Sequence, residues 1–599
     1  MNFPLGIRMS ILIKSVRIAG FRGLKNIEVE LEQTTVLTGM NNSGKTSFLK
    51  ALQLALGNRL FLSPDDFYIQ GNEKAEKIII DLLLISIDQD GNQMTEFSED
   101  WETLFTTNRI RTDDSSNSFV PLRTIIIFDS MKNNYKTQQS ILQAWPDFES
   151  EDKIGWFESE NGIKNSFRFD EIPFFYMDAQ RDILEDIKLK SSYLGKMLDK
   201  ITYPKEVVKE IEAQIKALNE TAVSSSDILS TIKTTLKELD TAMDSHSEGI
   251  DITPFTKKLR DLSKGLSIYY TDQKDSFPME YHGMGTRSWS SLLTLKSFIS
   301  LLNSNAGNDD SPFFPILAIE EPEAHLHPNA QKKLYGQINT ISGQKIISTH
   351  SPYVAAAADL KQIRNFYKDD AVHCGQFDAD LLNDKESIRK INRQVVNTRG
   401  EIFFSKLLVF FEGETEEQAL PIFSQNYFGK SPVEMGIDFI GVGGCESYLP
   451  FLRFSEALNI PWIIFSDNDQ GGKVEKIVKN QFSKSKSKYI EKDCLVFLVD
   501  GDDFEKQLIR DGFNNEIKKA ILSLKTYNNE QHENAQKPKD ETEINLYDDE
   551  KLYGVITSDK AQFGPIIAEE IINSCKPLPS KIVHLFEKIT TILTNKEPN

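Results

Sequence analysis

Apolar and polar residues alternate through the first part of the chain, with the two-residue period of strands that have one buried face. Ile11–Ile18 and Lys25–Leu31 carry this alternation on either side of the turn Gly20–Gly23, so we expect a β-hairpin. Thr35–Thr38 predicts a further strand and Lys45–Leu56 a helix. Further β-rich segments follow at 77–87, 124–128 and 173–178.

Between residues 196 and 265 the apolar spacing changes to three and four residues, which is the period of amphipathic helices. The residues in this pattern are Val207, Ile211, Ile215, Leu218, Ile228, Ile232, Leu236 and Leu239. They predict two helices on either side of Ser224–Ser226, which would form an antiparallel helical arm. The alternative is a surface insertion.

Two continuous apolar runs in the C-terminal third end abruptly in acidic residues. Leu407–Phe411 precedes Glu412, and Trp462–Ser466 precedes Asp467. An uninterrupted apolar run is typical of a parallel strand buried on both faces, and open α/β sheets place functional groups at the carboxyl ends of such strands. We therefore expect carboxylates along one sheet edge. Further on, residues 526–549 are rich in polar side chains and are expected to be a loose surface insertion.

Length and charge restrict these expectations. At 599 residues the chain is too long for one core, which indicates two or three domains. The 69 basic and 89 acidic residues give a net charge of −20, which excludes a simple basic nucleic-acid coat protein and leaves nucleic-acid binding to local patches. One such patch is a lysine-rich stretch, for which the alternative is a solvated surface. Its residues are Lys473, Lys476, Lys479, Lys484, Lys486, Lys488 and Lys492.

Cysteine spacing and hydropathy indicate the compartment. The four cysteines lie far apart, without the spacing of a disulfide framework or zinc site, which indicates reduced thiols. No apolar stretch approaches the length of a membrane span, and no signal-peptide pattern is present. We expect a soluble cytoplasmic protein with no membrane partner.

A phosphate-binding loop follows the third predicted strand. Gly39–Thr46 matches G-x-x-x-x-G-K-[ST] directly before a helix, the context that the motif requires. The glycines let backbone N–H groups surround phosphate oxygens, Lys45 neutralises the outer phosphates, and Thr46 offers a hydroxyl to Mg²⁺. The predicted ATP-binding residues of this segment are Gly39, Asn41, Asn42, Ser43, Gly44, Lys45, Thr46 and Ser47.

The second half of a nucleotide site comes almost three hundred residues later. The apolar run Phe314–Ile319 ends in Glu320, which we expect to bind the metal, and Glu321, which we expect to polarise the attacking water. Such a long separation is typical of ABC-type and chromosome-maintenance ATPases. His350 lies where such ATPases have a switch histidine that contacts the γ-phosphate. Gly283–Ser288, directly before a predicted helix, resembles their signature loop, so two heads would meet around ATP.

Four acids at the strand ends, Glu412, Glu416, Asp467 and Asp469, are hard oxygen ligands suited to Mg²⁺ or Mn²⁺. Two such ions would activate water and stabilise the leaving oxygen of a phosphodiester. Alternatively, each acid caps a helix N-terminus. Further candidates are Glu505, preferred as a ligand over Asp503, and Lys560, which would offset charge on the phosphate.

The two acid-tipped strands together resemble a Toprim domain. An ABC-type head followed by such a domain resembles the OLD (overcoming lysogenisation defect) family of nucleases and the related Gabija anti-phage nuclease subunit. The segment Ile172–Asp182 also resembles one common in that family. The resemblance implies an ATP-binding homodimer or higher homo-oligomer in which the helical insertion 196–265 mediates dimerisation. It also implies that the protein cleaves or nicks DNA with divalent metal, in anti-phage defence. Glu412, Glu416, Asp467, Asp469 and Lys560 match the family's catalytic residues, and Glu505 matches less closely. The unorthodox signature loop and the insertion at 526–549 depart from the family.

The expected fold is therefore α/β. The ATPase head comprises residues 1–195 and 266–395, interrupted by the helical insertion 196–265, and the Toprim domain comprises residues 400–599. The expected function is an ATP-regulated, metal-dependent endonuclease. The alternatives are an ATP-driven DNA sensor or clamp that acts with partner proteins, and the same metal site directed at RNA or tRNA. A helicase-like or reverse-transcriptase-linked partner encoded nearby is a further expectation.

Overall fold

The computed structural model describes most of the chain, which divides into two compact units. The described residues are 10–56, 62–71, 73–88, 90–129, 134–148, 156, 169–189, 191–199, 204–236, 269–272, 275–308, 312–369, 371–393, 400–467, 472–484, 494–499 and 502–594. One unit comprises Met1–Arg168 and Lys345–Asn599, and the other comprises Phe169–Gln344. None of the described helices has the length and apolar character needed to span a membrane.

The first unit begins with an antiparallel sheet. Its strands are Ser10–Phe21, Leu24–Glu30, Lys77–Ile87, Arg111–Thr112, Ser118–Asp129 and Asn134–Ile141. Ser10–Phe21 pairs with Leu24–Glu30 around a tight turn in which Gly20 and Arg22 have φ values of 73° and 48°. The predicted hairpin is confirmed. The short strands Ile69–Gln70 and Glu73–Lys74 and the helix Glu99–Phe105 lie between these strands in sequence.

A second group of strands in this unit positions the phosphate-binding loop. Gln344–Ser348, Thr34–Thr38 and Ile363–Lys368 run parallel, and Val372–Gly375 pairs antiparallel with the last of them. The first two strands are buried throughout, as expected for parallel strands covered on both faces. The helices associated with these strands are Lys45–Leu56, Pro352–Ala357, Ala379–Asn383 and Lys385–Ile391.

The hairpin Ile363–Gly375 contacts both the phosphate-binding loop and the C-terminal domain. A Cβ atom on Gly39 would lie 2.1 Å from the carbonyl oxygen of Phe366. Asn365 accepts a hydrogen bond from the hydroxyl of Thr38 (3.0 Å) and donates one to the carbonyl oxygen of Leu458 (2.6 Å). The strand that leads into the loop is thus joined through one buried amide to the segment before the strand Trp462–Ser466.

The Gly375→Ala substitution tests this packing. An added Cβ would lie 2.1 Å from the carbonyl oxygen of Ala457, and a backbone atom cannot move aside as a flexible side chain can. We expect a loss of about 1–3 kcal/mol in the free energy of unfolding, measured as a lower midpoint of thermal unfolding. The matched control is Gly554→Ala, because that helical glycine has no neighbour within 4 Å. It should stabilise the protein by about 0.5–1 kcal/mol, and equal effects of the two variants would contradict the packing.

The C-terminal domain is built on a parallel sheet of four strands. Their order is Ile437–Gly441, Leu407–Phe411, Trp462–Ser466 and Leu495–Phe497, all parallel. The predicted parallel sheet with acid-tipped strands is confirmed. The helices of this domain are Glu414–Phe428, Pro432–Met435, Tyr448–Ala457, Lys473–Lys484, Phe504–Arg510, Asn514–Ser523, Glu530–Asn545, Asp549–Ile556, Lys560–Asn573 and Ser580–Thr594.

The segment 526–549 is not the loose insertion that its composition predicted, since it contains the helix Glu530–Asn545. The side chain of Asn529 caps the first turn by accepting from the N–H of His532 (2.8 Å). Lys537 donates to Glu533 one turn earlier (2.8 Å), and such pairs stabilise helices that have no apolar face. The helix is attached to the domain through the buried side chain of Ile544.

The described part of the second unit contains a parallel strand pair, an antiparallel strand pair and several helices. Phe174–Met177 pairs with Ile316–Glu320, and Tyr269–Asp272 pairs antiparallel with Asp275–Pro278. Its helices are Ile183–Lys188, Tyr193–Asp199, Lys205–Ser224, Asp227–Leu236, Met284–Asn308 and Pro328–Asn339.

The two helices predicted around Ser224–Ser226 are present in this unit as Lys205–Ser224 and Asp227–Leu236. Leu239 lies outside the described residues. Several apolar side chains of these helices are exposed, with Ile228 at 73% and Leu218 at 52%. The role of this arm in dimerisation, like the domain boundaries, stays a prediction.

Candidate functional site

The phosphate-binding loop has the backbone that its glycines predict. Gly39 and Gly44 have φ values of 130° and 103°, a region that favours glycine, and Asn42 has 61°. The ammonium of Lys45 lies across the loop and donates to the carbonyl oxygens of Gly39 (2.7 Å) and Met40 (2.9 Å). A bound phosphate would offer this ammonium anionic oxygens in place of those carbonyls. The loop therefore fits the predicted nucleotide.

Glu320 and Glu321 end the strand Ile316–Glu320 in the second unit, and their environments differ. Glu320 is buried, and its Oε2 accepts a hydrogen bond from the hydroxyl of Tyr176. Its Oε1 is buried with no hydrogen-bond partner among the described residues, which fits a carboxylate that completes its coordination with a cation. Glu321 is exposed and has a φ of 41°, in the left-handed region.

The sequence placed Gly283–Ser288 in a loop before a helix, and this was wrong in one respect. The helix Met284–Asn308 already begins at the second residue of the motif, so Gly285 lies in its first turn. The helix approaches the chain after Glu321 closely there, because a Cβ on Gly285 would lie 2.4 Å from the carbonyl oxygen of His325. Arg287, in the same turn, forms an ion pair with Asp182.

His350 follows the strand Gln344–Ser348 in the first unit, as predicted. Its ring lies 6.3 Å from that of Phe404, and it is partly exposed. Its role at the γ-phosphate stays a prediction.

At the carboxyl edge of the C-terminal sheet, Glu412 is held by two hydroxyl groups. Ser466 donates to its Oε1 at 2.6 Å, and Tyr448 donates to the same oxygen at 3.2 Å. Burial is the main cause that raises the pKa of Tyr448 well above its usual value, and the nearby charge of Glu412 adds to it. The hydroxyl of Tyr448 therefore stays protonated and available as a donor. Sequence reasoning missed both residues, although Ser466 directly precedes Asp467 at the strand end.

Glu416 lies in the first turn of the helix Glu414–Phe428 and is a buried residue, 6% exposed. A Cβ on Gly413 would lie 2.2 Å from Oε2 of Glu416, so any other residue at position 413 would require this carboxylate to move. The pKa of Glu416 is raised to about 8, mainly by burial; the charges of Glu505 and Asp467 contribute to this rise, and the charge of Lys560 opposes it.

Glu505 is 1% exposed and is paired on two sides. Thr415 donates to its Oε1, and the ammonium of Lys560 lies 3.1 Å from both carboxylate oxygens. Partial burial lowers the pKa of the Lys560 ammonium, but the charge of Glu505 and the hydrogen bond to it outweigh burial, so the pKa is raised overall. The helix Lys560–Asn573 packs closely here, because a Cβ on Gly564 would lie 3.3 Å from the carbonyl oxygen of Thr415.

Asp503, the second choice as a ligand, serves the local structure. It caps the helix Phe504–Arg510 by accepting from the N–H of Lys506 (2.9 Å), and it accepts from the hydroxyl of Tyr553 (2.7 Å). These contacts favour Glu505 over Asp503 as the functional acid.

Asp467 follows the strand Trp462–Ser466 and is partly buried, whereas Asp469 lies outside the described residues. Within the described part of the chain, no three acidic, histidine or cysteine side chains form a group that could hold a metal ion. The metal site stays a prediction, supported by the mutual repulsion around Glu416, which a bound cation would relieve. In the lysine stretch, Lys473, Lys476 and Lys479 are exposed on one helix, and Lys486, Lys488 and Lys492 lie outside the described residues.

Comparison with known proteins gives two family matches. Residues 12–355 match the AAA ATPase domain, and residues 403–469 match the TOPRIM domain of overcoming lysogenization defect protein-like proteins. The OLD nuclease of Thermus scotoductus is 23% identical over 497 residues, which cover 76% of this chain and 82% of the relative. Endonuclease GajA of Bacillus cereus is 23% identical over 492 residues, which cover 77% and 76%. The solved C-terminal region of the Burkholderia pseudomallei OLD protein is 18% identical, and its match covers 32% of this chain and 99% of that one with a TM-score of 0.24.

Proposed function

Because the chain belongs to the AAA ATPase domain family and carries a TOPRIM domain like that of the overcoming lysogenization defect proteins, we propose that it is an ATP-regulated endonuclease. The proposed reaction is the metal-dependent hydrolysis of phosphodiester bonds in DNA, with cleavage or nicking. The names of two relatives, a nuclease and an endonuclease, support the enzyme class.

The observation that carries this proposal is the crowding of carboxylates around Glu416 at the carboxyl edge of a parallel sheet. Glu412 and Asp467 follow neighbouring strands of that sheet, and the charge of Asp467 acts on Glu416. Glu412, Glu416, Asp467 and Asp469 would hold Mg²⁺ or Mn²⁺, which when bound supplies an activated water and stabilises the leaving oxygen. Ser466 and Tyr448 keep the Glu412 carboxylate in one orientation.

Lys560 is the cationic group of this site. Glu505 holds its ammonium from a buried position, and Thr415 in turn holds Glu505. A fixed cation beside the phosphate would stabilise the charge that develops on it during attack. Glu505 thereby positions the ammonium of Lys560. We also propose Glu505 as a ligand of the metal.

The ATPase half would work through the phosphate-binding loop and the strand that ends at Glu320. From the sequence motifs, Lys45 would neutralise the outer phosphates and Thr46 would offer its hydroxyl to Mg²⁺. Glu320 would be a metal ligand, and Glu321 would polarise water. The exposed apolar side chains of the helical arm and the first turn of the helix Met284–Asn308 support a homodimer or higher homo-oligomer. A role in anti-phage defence and a partner protein encoded nearby are also proposed, and both rest on the resemblance to the OLD family alone.

Incubation with supercoiled plasmid DNA, and in parallel with a structured RNA, tests the nuclease proposal. The wild-type protein should nick or linearise DNA with Mg²⁺ or Mn²⁺ and fail to do so with EDTA. Asp467→Asn should lower the rate by about 100-fold or more, because it removes one anionic ligand. The matched control is Glu434→Gln. This exposed carboxylate caps the short helix Pro432–Met435, which precedes the amino end of the strand Ile437–Gly441, whereas the proposed site lies at the carboxyl ends of the strands.

Equal rates for wild type and Asp467→Asn would exclude hydrolysis at this site. If the protein cleaves only the RNA, and Asp467→Asn abolishes that cleavage, metal-dependent hydrolysis at this site stands, and the substrate is RNA instead of DNA.

A further inference from the structure

Glu321, the proposed water-polarising residue, has an unusual backbone conformation. Its φ of 41° lies in the left-handed region, which side-chain-bearing residues rarely adopt. Such a conformation persists only where the surroundings enforce it, and it occurs preferentially at functional sites. The residue itself is exposed.

One restraint on the backbone around Glu321 is the guanidinium of Arg181, a residue that is 7% exposed. Its Nη1 donates to the carbonyl oxygen of Glu320 at 3.2 Å, and its Nη2 donates to that of Pro322 at 2.6 Å. These two carbonyls belong to the residues on either side of Glu321. One planar group thus spans the turn that carries the carboxylate.

Arg181 is itself anchored by its own segment. Nη1 also donates to the carbonyl oxygen of Asp178 at 3.2 Å, directly after the strand Phe174–Met177 that pairs with Ile316–Glu320. The next residue, Asp182, forms the ion pair with Arg287. Burial lowers the pKa of Arg181 to about 10, with Glu323, Asp178 and Glu321 opposing the shift, so the guanidinium stays charged at neutral pH.

We propose that Arg181 is a positioning residue for ATP hydrolysis, which holds the backbone of Glu321 in the conformation from which its carboxylate orients water. This inference rests on the proposed ATPase function. The geometry requires arginine, because its rigid fork presents two donors to two carbonyl oxygens at once, whereas a lysine ammonium is a single point on a flexible chain.

Steady-state ATP hydrolysis and nucleotide binding by full-length Arg181→Lys test the proposal. We expect kcat to fall about 10–100-fold, because small misplacements of a catalytic group have effects of this size. The KM and the dissociation constant for ATP should change less than about threefold, since the phosphate-binding loop is unaltered. Arg364→Lys is the matched control. That buried guanidinium likewise donates to backbone carbonyls, those of Glu30, Lys361 and Ile363, and also lies 3.9 Å from the carboxylate of Glu32. Its replacement should leave kcat near the wild-type value.

A second variant separates positioning from folding. Arg181→Ala, with its thermal unfolding midpoint measured, should regain part of its kcat when guanidinium ion at low millimolar concentration is added. A wild-type kcat in Arg181→Lys would overturn the proposal. The proposal would also fail if turnover in Arg181→Lys and Arg181→Ala decreased only in proportion to the amount of folded protein. Glu321→Gln tests the premise that Glu321 polarises water. If that variant hydrolyses ATP normally, the proposed role of Glu321 fails, and the inference about Arg181 fails with it.

Discussion

Replacing Glu416 by glutamine is expected to raise the thermal stability of the metal-free protein above pH 8 and to abolish metal-dependent cleavage. The pKa of this buried carboxyl is raised from 4.5 to about 8. Between these values the folded protein retains a proton that the unfolded chain has released, so stability falls as the pH rises through this window. Above pH 8 the wild-type protein contains a buried anion, which glutamine replaces with a neutral group of the same shape. The gain at pH 8.5 should be on the order of a few kcal/mol.

Thermal unfolding of the two proteins from pH 5 to pH 8.5, with and without Mn²⁺, measures this effect. Near pH 5 the two midpoints should nearly coincide, and they should separate as the pH rises. Mn²⁺ should raise the midpoint of the wild-type protein and leave Glu416→Gln almost unchanged, because metal binding stabilises only a state that provides the ligands. The control Glu434→Gln should follow the wild-type curve in both conditions. Parallel curves for wild type and Glu416→Gln would show that the buried carboxylate carries no such penalty.

The sequence predicted those parts of the molecule that depend on local pattern. Leu407–Phe411 and Trp462–Ser466 have no polar face, so only burial on both sides of a parallel sheet suits them, and both strands lie in such a sheet. The acids that follow them necessarily reach one edge. The phosphate-binding loop was equally predictable, because its glycines, lysine and flanking elements occur in one short segment.

The rest depends on contacts between residues far apart in sequence. Tyr448 opens a helix thirty-six positions after Glu412, and nothing local indicates that its hydroxyl meets that carboxylate. The pairing of Lys560 with Glu505 joins the helices Lys560–Asn573 and Phe504–Arg510 across fifty-five positions of the chain, which a pattern of apolar residues does not specify. The contacts of Arg181 with the carbonyls around Glu321 likewise span about 140 positions of the chain.

Lys560→Met is expected to abolish cleavage and also to destabilise the protein, and a second ion pair in the same domain separates these effects. Glu505 is 1% exposed, so removal of its partner leaves a buried carboxylate without its cation. Because Lys560 is itself one-third exposed, the loss should be about 1–3 kcal/mol, below the value for a fully buried pair. The Lys560→Met, Glu505→Gln double variant should recover most of the stability, since glutamine needs no counter-charge, and should remain inactive.

Lys576 and Glu516 provide the matched control, because this lysine also lies within about 3 Å of both oxygens of a buried carboxylate, at 2.9 and 3.0 Å. Their side chains are 43% and 4% exposed, close to the 34% and 2% of Lys560 and Glu505. Lys576→Met should therefore lower the unfolding midpoint by a similar amount while plasmid cleavage per folded molecule stays at the wild-type rate. If Lys560→Met cleaves as well as Lys576→Met, the ammonium of Lys560 has only a structural role. If the double variant regains cleavage together with stability, the loss in Lys560→Met is a consequence of unfolding, and charge stabilisation at the phosphate must come from another group.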